Sequence, residues 1–381
     1  MKRLSAVIEK KSKAKASVAL LGIGTAVPPT LTQQQLADIA LERCSFSPEQ
    51  GAALRRMFMR CGVGWRGTVL ASEDESPGQM RDFYSTAPDG AHRGPGTAAR
   101  MQRYAIEAPG LGEAAATAAL SDSQISADAI THLITVSCTG FVAPGLDAEL
   151  IRRLGLAGDV RRLHVGFMGC HAAFNALAAA RDMVLADPEA IVLICCVELC
   201  TLHFTYEADP QKLVASALFA DGASAVVVAG AGQSEGSTGC GWRLRQTASR
   251  VLPGCTDAMA WRVGDHGFEM TLSSEVPELI RSHVHSWCED WLGQIDLSVG
   301  EIENWAVHPG GPKILSVVED SLSLPALALG CSREILLRHG NMSSNTILFI
   351  LQALARQEAR GNCVAIGFGP GLTMEGMLLE R

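Results

Sequence analysis

Long apolar segments are absent from this sequence of 381 residues. No run of about 18 or more apolar residues is present, which argues against a membrane-spanning helix. The first residues, MKRLSAVIEKKSKAKAS, are basic and lack the apolar stretch of a secretory signal. The sequence therefore predicts a cytoplasmic protein without a membrane span, in which residues 1–16 form a flexible basic tail.

An excess of positive charge is also absent. Lys and Arg number 32 against 40 Asp and Glu, which gives a formal net charge of −8. Proteins that bind nucleic acid need a basic surface for the phosphates, so no nucleic-acid partner is expected. A local basic cluster can still bind a nucleotide, although a solvated helix face is the simpler interpretation of the clearest cluster when it is considered alone: Arg55, Arg56, Arg60 and Arg66.

Metal-binding spacings are missing although the sequence contains 12 cysteines. No CxxC or HxxxH pattern occurs, and without a secretory signal the cysteines do not indicate a disulfide framework. Cysteines such as Cys240 lie among apolar residues, where a small buried side chain is the simpler interpretation. We therefore expect reduced thiols and no metal.

Short β-branched segments alternate with longer helical segments, which is typical of an α/β fold with buried strands. The first series contains predicted strands at 17–28, 132–138 and 191–199, and predicted helices after Thr32, near 97–120 and at 146–155. The second contains predicted strands at 224–230, 304–308, 362–369 and 373–380, and predicted helices at 276–292, near 312–321 and near 343–358.

The two series have a similar element order, which indicates two pseudo-duplicated halves, residues 17–235 and 236–381. The predicted break lies in the Gly- and Ser-rich segment at about 231–240, and no long linker separates the halves. Within the first half, Pro109 and Gly110 predict an interruption of the helix near 97–120.

Cys170 is the first candidate for chemistry. It lies in GFMGCHAAFNALAAARDMVLA, where two glycines lead into an Ala-rich segment that predicts a buried central helix. The positive end of a helix dipole favours the thiolate, which is the nucleophilic form of cysteine. A buried cysteine in isolation is more often structural, so this residue alone does not establish a catalytic site.

His308 and Asn341 are the second and third candidates. His308 ends an apolar strand in WAVHPGGPKIL, and Asn341 follows Gly340 in RHGNMSSNTILFIL, before serines that can cap a helix. Each fits a structural role when it is considered alone. Together with a thiolate, however, these two neutral donors meet the needs of a decarboxylative Claisen condensation, which requires an acyl carrier and donors for the enolate oxygen.

Four segments in this order resemble the signatures of chalcone synthases and bacterial type III polyketide synthases: GFMGCHAAFNAL, WAVHPGGPKIL, GNMSSNTILFIL and GFGPGLTMEGMLL. The resemblance extends from about residue 17 to 379. It implies a thiolase-like five-layer αβαβα fold, a homodimer and a buried cavity fed by CoA thioesters. It also implies a Cys170–His308–Asn341 triad acting on acyl-CoA and malonyl-CoA, without a redox cofactor.

The resemblance also assigns cavity residues. Phe219, in SALFADGASA, matches a gatekeeping phenylalanine between tunnel and cavity, and Met270 stands where plant enzymes have the second gatekeeper. Ala143 replaces a methionine that reaches into the partner subunit's cavity in plant enzymes. Other cavity-lining positions of the family fall on Cys138, Cys200, His203 and Ser343. The family's CoA-binding cations fall on Arg56, Arg60 and Lys313, whereas Ala53 replaces a further lysine.

The starter follows from the sizes of these side chains. Ala143 and Met270 are smaller or more flexible than the plant residues, which predicts an aliphatic acyl-CoA starter, long chains included, and a pyrone or resorcinol-type product. Trp261 and His203 weigh against this because they fill space near the same cavity. A single condensation like that of ketoacyl-carrier-protein synthase III, an aromatic starter and a malonyl starter remain alternatives. An inactive scaffold is disfavoured because the whole triad is present.

Overall fold

The computed structural model describes residues 17–71, 83–234 and 239–381. The predicted tail and the predicted boundary at 235/236 lie outside these residues. The strands are β1 (Val18–Ala26), β2 (Thr30–Thr32), β3 (Trp65–Gly67), β4 (His132–Ser137), β5 (Arg161–Gly166), β6 (Ile191–Leu199), β7 (Asp221–Gly230), β8 (Trp242–Val251), β9 (Met259–Gly264), β10 (Gly267–Leu272), β11 (Asn304–Val307), β12 (Asn362–Gly369) and β13 (Thr373–Glu380). The helices are α1 (Gln33–Arg43), α2 (Pro48–Arg60), α3 (Thr97–Ser123), α4 (Leu146–Leu154), α5 (Ala172–Ala186), α6 (Pro210–Leu218), α7 (Val276–Gly293), α8 (Pro312–Ser321), α9 (Gly330–His339) and α10 (Thr346–Arg356).

Nine strands form a mixed sheet in the order β11-β12-β13-β8-β1-β7-β6-β4-β5. The pairing of β1 with β8 is confined to Val18–Leu20, opposite Trp242–Leu244. This short seam divides the sheet into an N-terminal part, β1-β7-β6-β4-β5, and a C-terminal part, β11-β12-β13-β8. Each part contains parallel pairs, β4 with β5 and β6 in the first and β11 with β12 in the second.

Helices cover both faces of each part of the sheet. Along β6, Ile194 faces one hydrophobic cluster and Leu193 faces another, because successive side chains of a strand point to opposite faces. The central cluster packs α5 and α10 between strands of both parts, and α3 covers the outer face of the N-terminal part. Helices α7 and α8 cover the outer face of the C-terminal part. This is the predicted five-layer αβαβα order.

Two local predictions have different outcomes. Thr32 caps α1 as predicted, in a capping box with Gln35. The predicted interruption at Pro109 and Gly110 is wrong, since α3 continues through both residues. A proline inside a helix removes a hydrogen bond, yet α3 continues past Pro109 and packs closely on β1. At Gly24 of β1, an added Cβ would lie 2.1 Å from the carbonyl oxygen of Ala115 in α3.

The described residues contain neither a membrane-spanning helix nor a candidate metal site. None of their helices is long and apolar enough to cross a membrane. They contain no cluster of three His, Cys, Asp or Glu side chains that could hold a metal ion. The cysteines are free thiols, and all except Cys255 are buried.

Candidate active site

Cys170 lies immediately before the central helix α5, in a short 3₁₀ turn formed by Gly169–His171. Gly169 has a φ of 78°, and an added Cβ there would lie 2.4 Å from Cδ of Pro370, so the turn requires glycine. At Gly369, an added Cβ would lie 2.1 Å from the ring of His171. The C-terminal GFGPG segment therefore packs directly against the turn that carries Cys170.

His308 follows β11, and its backbone N–H donates to the carbonyl of Ile366 in β12 at 2.8 Å. Its side chain is 1% exposed, and neither ring nitrogen has a hydrogen-bond partner among the described residues. Asn341 forms an isolated β-bridge with Phe219, and its Oδ1 accepts from the backbone N–H of Ser343 at 2.8 Å. That bond leaves the Nδ2 amide group of Asn341 as its donor, and the side chain also hydrogen bonds to Cys170.

Cys170, His308 and Asn341 line one cavity, which we call the outer cavity; its volume is about 870 Å³. The three predicted CoA-binding cations line the same cavity, as does Ala53: Arg56, Arg60 and Lys313. Within the described residues these three cations form no ion pair, whereas the neighbouring Arg55 pairs with Asp38 at 2.8 Å. The predicted triad and three cations without an ion-pair partner among the described residues therefore line the same cavity.

A second cavity, the inner chamber, is narrower, with a volume of about 130 Å³. Four predicted cavity residues line it: Cys138, Cys200, His203 and Ser343. Cys170, Phe219, Met259 and Met270 line both cavities, so the predicted gatekeepers lie where the two meet. Sequence reasoning missed Met259, although its two-residue spacing from Trp261 would have indicated the same face of a strand.

An aromatic wall borders the inner chamber. The ring of His203 stacks on Phe268 with centroids 4.2 Å apart, and its edge approaches Trp261. Nδ1 of His203 accepts from the backbone N–H of Phe268 at 2.9 Å, so Nε2 carries the proton and donates to the carbonyl of Thr139 at 2.7 Å. Nε1 of Trp261 donates to the carbonyl of Cys138 at 2.6 Å. These bonds attach the β9–β10 hairpin to the Cys138–Thr139 loop.

Two family models match the chain: "Chalcone and stilbene synthases, N-terminal domain" over residues 6–232 and the corresponding C-terminal domain over residues 243–381. The chain belongs to this family. It is 31% identical over 364 residues to an alpha-pyrone synthesis polyketide synthase-like protein, Pks18, of Mycobacterium tuberculosis, covering 94% of this chain and 90% of the relative. It is 32% identical over 363 residues to a 1,3,6,8-tetrahydroxynaphthalene synthase of Streptomyces peucetius, covering 94% and 92%.

Solved structures agree with this assignment. The crystal structure of PKS-I from the brown alga Ectocarpus siliculosus has a TM-score of 0.89 at 27% identity and covers 97% of this chain and 99% of that one. The C-terminal type III polyketide synthase domain of Steely1 from Dictyostelium has a TM-score of 0.82 at 26% identity, with 96% and 99% coverage. The predicted thiolase-like fold and the predicted enzyme class, a CoA-dependent acyltransferase of the type III polyketide synthases, are confirmed.

Burial affects the ionisation of the synthase's candidate catalytic residues. Burial raises the pKa of the Cys170 thiol to about 12, against the opposing effect of hydrogen bonds with Ser343 and Asn341. Burial, and secondarily the charge of His171, lowers the pKa of His308 to about 3. Burial thus opposes the helix dipole at Cys170, because desolvation favours the neutral thiol whereas the dipole favours the thiolate. A neutral imidazole at His308 can accept the thiol proton during attack.

A buried carboxyl group that sequence reasoning missed supports the inner chamber. Glu198 is fully buried and accepts hydrogen bonds from the backbone N–H of Cys138 at 3.0 Å and from the hydroxyl of Thr139 at 2.7 Å. The hydroxyl of Ser344 donates to its other oxygen at 2.5 Å. Burial raises the pKa of Glu198. Its position within a continuous apolar strand, IVLICCVEL, was the available signal, since a lone carboxyl there requires polar partners.

Ala143 differs from the other predicted cavity residues because it lines neither cavity of the chain. It lies in the loop before α4 and is exposed, next to Phe141 and Val142, which are 53% and 44% exposed. A position that contributes to the cavity of a partner subunit would be exposed in this way on the isolated chain.

Proposed function

We propose that the chain extends an acyl-CoA starter by repeated decarboxylative condensation with malonyl-CoA, with Cys170 as the acyl carrier. The imidazole of His308 carries this proposal, since it is buried in the outer cavity with two ring nitrogens unpartnered among the described residues. A buried polar group without a partner costs about 1–3 kcal/mol. The carbonyl or enolate oxygen of a bound thioester would offset that cost.

The proposed cycle begins when Sγ of Cys170 attacks the thioester carbonyl of the starter and the thiol proton passes to His308. CoA leaves as its thiol after taking up that proton. Malonyl-CoA then enters and loses carbon dioxide, and hydrogen bonds from His308 and from Nδ2 of Asn341 stabilise the enolate oxygen. The enolate carbon attacks the acyl group on Cys170 and displaces Sγ as a thiolate, which leaves the extended chain on CoA. Attack of that thiolate on the new thioester returns the chain to Cys170 and releases CoA, and the next round begins. No redox cofactor takes part.

The cations of the outer cavity support CoA as the carrier of both substrates. Arg56, Arg60 and Lys313 can pair with the phosphates of CoA, as guanidinium forks or as a point charge. Ala53 lines the same cavity at the position where the family has a further lysine, so this chain has no positive charge there. We therefore propose that three cations bind the phosphates of CoA.

The starter that we propose is an aliphatic acyl-CoA, long chains included, and the product a pyrone or resorcinol type. Flexible methionines at the meeting point of the two cavities, Met259 and Met270, support this because they can adapt to an alkyl chain. The relative that is named for alpha-pyrone synthesis covers 94% of the chain. A clear preference for an aromatic starter would contradict the proposal.

The narrow inner chamber favours a second candidate, a synthase primed by malonyl-CoA or another short starter. The aromatic wall leaves a volume of about 130 Å³ beyond the gate, which restricts chain growth unless side chains move. The relative that is named 1,3,6,8-tetrahydroxynaphthalene synthase is 32% identical to this chain. The two candidates differ in starter and share the same proposed triad.

A panel of starters distinguishes the candidates. The measurement is kcat/KM for hexanoyl-, lauroyl- and palmitoyl-CoA beside coumaroyl-, benzoyl- and malonyl-CoA, with the products identified by mass spectrometry. We expect the aliphatic esters to be preferred. The same assay with malonyl-carrier protein replacing malonyl-CoA tests the alternative of a single ketoacyl-carrier-protein synthase III-like condensation, because an iterative synthase accepts the CoA ester directly.

We also propose a homodimer in which the loop around Ala143 lies at the subunit boundary. The exposure of Phe141 and Val142 in that loop supports this, because an apolar surface of this kind is commonly covered by a partner. Light scattering at micromolar concentration should give the mass of two chains. A monomeric mass would contradict the proposal.

A further inference from the structure

Arg100 is a fully buried cation in the first turn of α3, and it lines neither of the two cavities. Within the described residues it forms no ion pair, so its charge is met by neutral groups. Its Nε donates to the carbonyl of Pro95 at 2.8 Å, and the guanidinium lies over the ring of Tyr84 at 5.4 Å. Burying a cation without a carboxylate is costly, and it requires several well-placed acceptors.

Those acceptors are the backbone carbonyls on either side of His203. Nη1 of Arg100 donates to the carbonyl of Leu202 at 2.7 Å and to that of Phe204 at 3.0 Å. The hydroxyl of Tyr84 lies 3.0 Å from the same nitrogen and shares one of its two hydrogens. One nitrogen of a rigid, planar group thereby fixes the backbone before and after a single residue of the chamber wall.

His203 is that residue, and its ring connects three parts of the wall. It accepts from the backbone of Phe268, donates to the carbonyl of Thr139 and stacks on the Phe268 ring. A small rotation of the segment Leu202–Phe204 would break at least one of these contacts, because both ring nitrogens are already committed. The hairpin approaches the guanidinium as well, since an added Cβ at Gly267 would lie 2.9 Å from Nη1 of Arg100.

We infer that Arg100 is a positioning residue that sets the shape of the inner chamber, acting through His203, and so helps to set how many malonyl units a chain receives. The inference rests on the proposed function, because it assumes that chains grow from Cys170 into this chamber. Arg100 lies behind the chamber wall, against Tyr84 and Phe204, and lines neither cavity, so its removal should alter product length while the outer cavity still decarboxylates malonyl-CoA.

The test compares Arg100→Lys with the full-length wild type. A lysine keeps the charge, but its single ammonium on a flexible stem cannot reproduce the fixed bonds to both carbonyls. We expect products that differ by at least one malonyl unit to become the major species, while the rate of malonyl-CoA decarboxylation stays within about twofold of wild type. Arg103→Lys is the matched control, because Arg103 lies on the same helix and pairs with Glu107. Its products should not change.

A second pair of variants tests the route through His203. If Arg100 acts through that ring, the double variant Arg100→Lys with His203→Asn should give the same product distribution as His203→Asn alone. Additive changes would overturn this route. Arg100→Gln repeats the measurement without the charge, and loss of cooperative unfolding in both Arg100 variants would show a folding role and overturn the inference.

The possible results distinguish a failure of the inference about Arg100 from a failure of the proposed function. If wild type makes no polyketide from any starter, the proposed function fails. If wild type makes polyketide and a folded Arg100→Lys protein gives the same product distribution, the inference fails and the proposed function stands.

Discussion

The outer cavity and the inner chamber share Cys170, but they differ in size and in the residues that line them. The outer cavity measures about 870 Å³ and contains the unpartnered imidazole of His308 and three cations. The inner chamber measures about 130 Å³, and its wall includes side chains whose polar atoms are already paired, such as His203 and Trp261. Unpaired groups can bind and activate a substrate, whereas paired groups mainly define a shape. We therefore propose that the outer cavity activates the substrate and that the inner chamber sets product length.

Removing the shared residue gives the largest expected effect. Cys170→Ala should abolish polyketide formation, because no thiol remains to carry the chain. Malonyl-CoA decarboxylation should continue at a measurable rate, since His308 and Asn341 remain in the outer cavity. Release of carbon dioxide and product yield are measured in parallel. Cys240→Ala, at a buried cysteine outside both cavities, is the control. Polyketide formation by Cys170→Ala would exclude this residue as the acyl carrier.

His308→Ala removes from the outer cavity the imidazole that we propose stabilises the enolate, and it leaves the inner chamber unchanged. We expect decarboxylation of malonyl-CoA to fall by about 10²-fold, the typical loss when one donor to a developing oxyanion is deleted. The control is His283→Ala, since His283 lines neither cavity. A wild-type rate in the His308 variant would mean that the enolate is stabilised elsewhere.

The sequence predicted the residues of the outer cavity more completely than the contacts that form the wall of the inner chamber. The three residues of the proposed triad lie in three separate motifs, each of which is contiguous in the sequence. Local backbone positions each of them: a 3₁₀ turn at Cys170, the end of a strand at His308 and a β-bridge at Asn341. The wall of the inner chamber arises from contacts between distant segments, such as Trp261 with Cys138 and Phe268 with His203. No local pattern encodes these contacts, so the sequence did not predict the hydrogen bonds and stacking that hold this wall together.

The predicted elements show the same limit. Buried strands such as β6 and β12 are continuous apolar runs and were predicted closely. The edge strand β5, RRLHVG, was missed because most of its side chains are exposed and it lacks an apolar run. Helix α9, GCSREILLRH, was missed because its short polar sequence gives little helical periodicity, although Leu336 is buried against its neighbours.

Trp261→Leu should widen the inner chamber without affecting the outer cavity. We expect the ratio of kcat/KM for lauroyl-CoA to that for hexanoyl-CoA to rise by roughly tenfold, as expected if about two more methylenes are buried at ~0.8 kcal/mol each. Decarboxylation should not change. Trp65→Leu, at an indole that is 47% exposed outside both cavities, is the control. An unchanged ratio would show that Trp261 does not limit the chain.

Lys313→Ala tests the charge in the outer cavity. Lys313 is exposed, and an exposed ion pair contributes up to about 1 kcal/mol, so KM for malonyl-CoA should rise by up to about fivefold. The effect should shrink at about 1 M salt, where screening is strong. The distribution of product lengths should not change, because the inner chamber is not altered. Arg55→Ala, which breaks the pair with Asp38, should leave KM near wild type.

The last comparison concerns folding stability, to which the paired groups of the inner chamber contribute, and not catalysis. Burial lowers the pKa of His203 to about 3, whereas a histidine in an unfolded chain titrates near 6.5. The unfolded chain therefore takes up the proton first as the pH falls. The stability contributed by the neutral ring is complete above pH ~6.5 and is lost towards pH ~3, by at most ~1.4 kcal/mol per pH unit.

His203→Gln removes this titrating group, so its free energy of unfolding should fall less steeply than that of wild type between pH ~6.5 and ~4. The measurement is urea unfolding at several pH values, in which carboxyl groups such as Asp221 titrate in both proteins alike. His285→Gln, at an exposed histidine, should follow the wild-type slope. Parallel curves for wild type and His203→Gln would mean that His203 is protonated at little cost in the folded state. A charged ring could not accept the Phe268 N–H through Nδ1, so that result would also contradict the closed aromatic wall that separates a narrow inner chamber from a wide outer cavity.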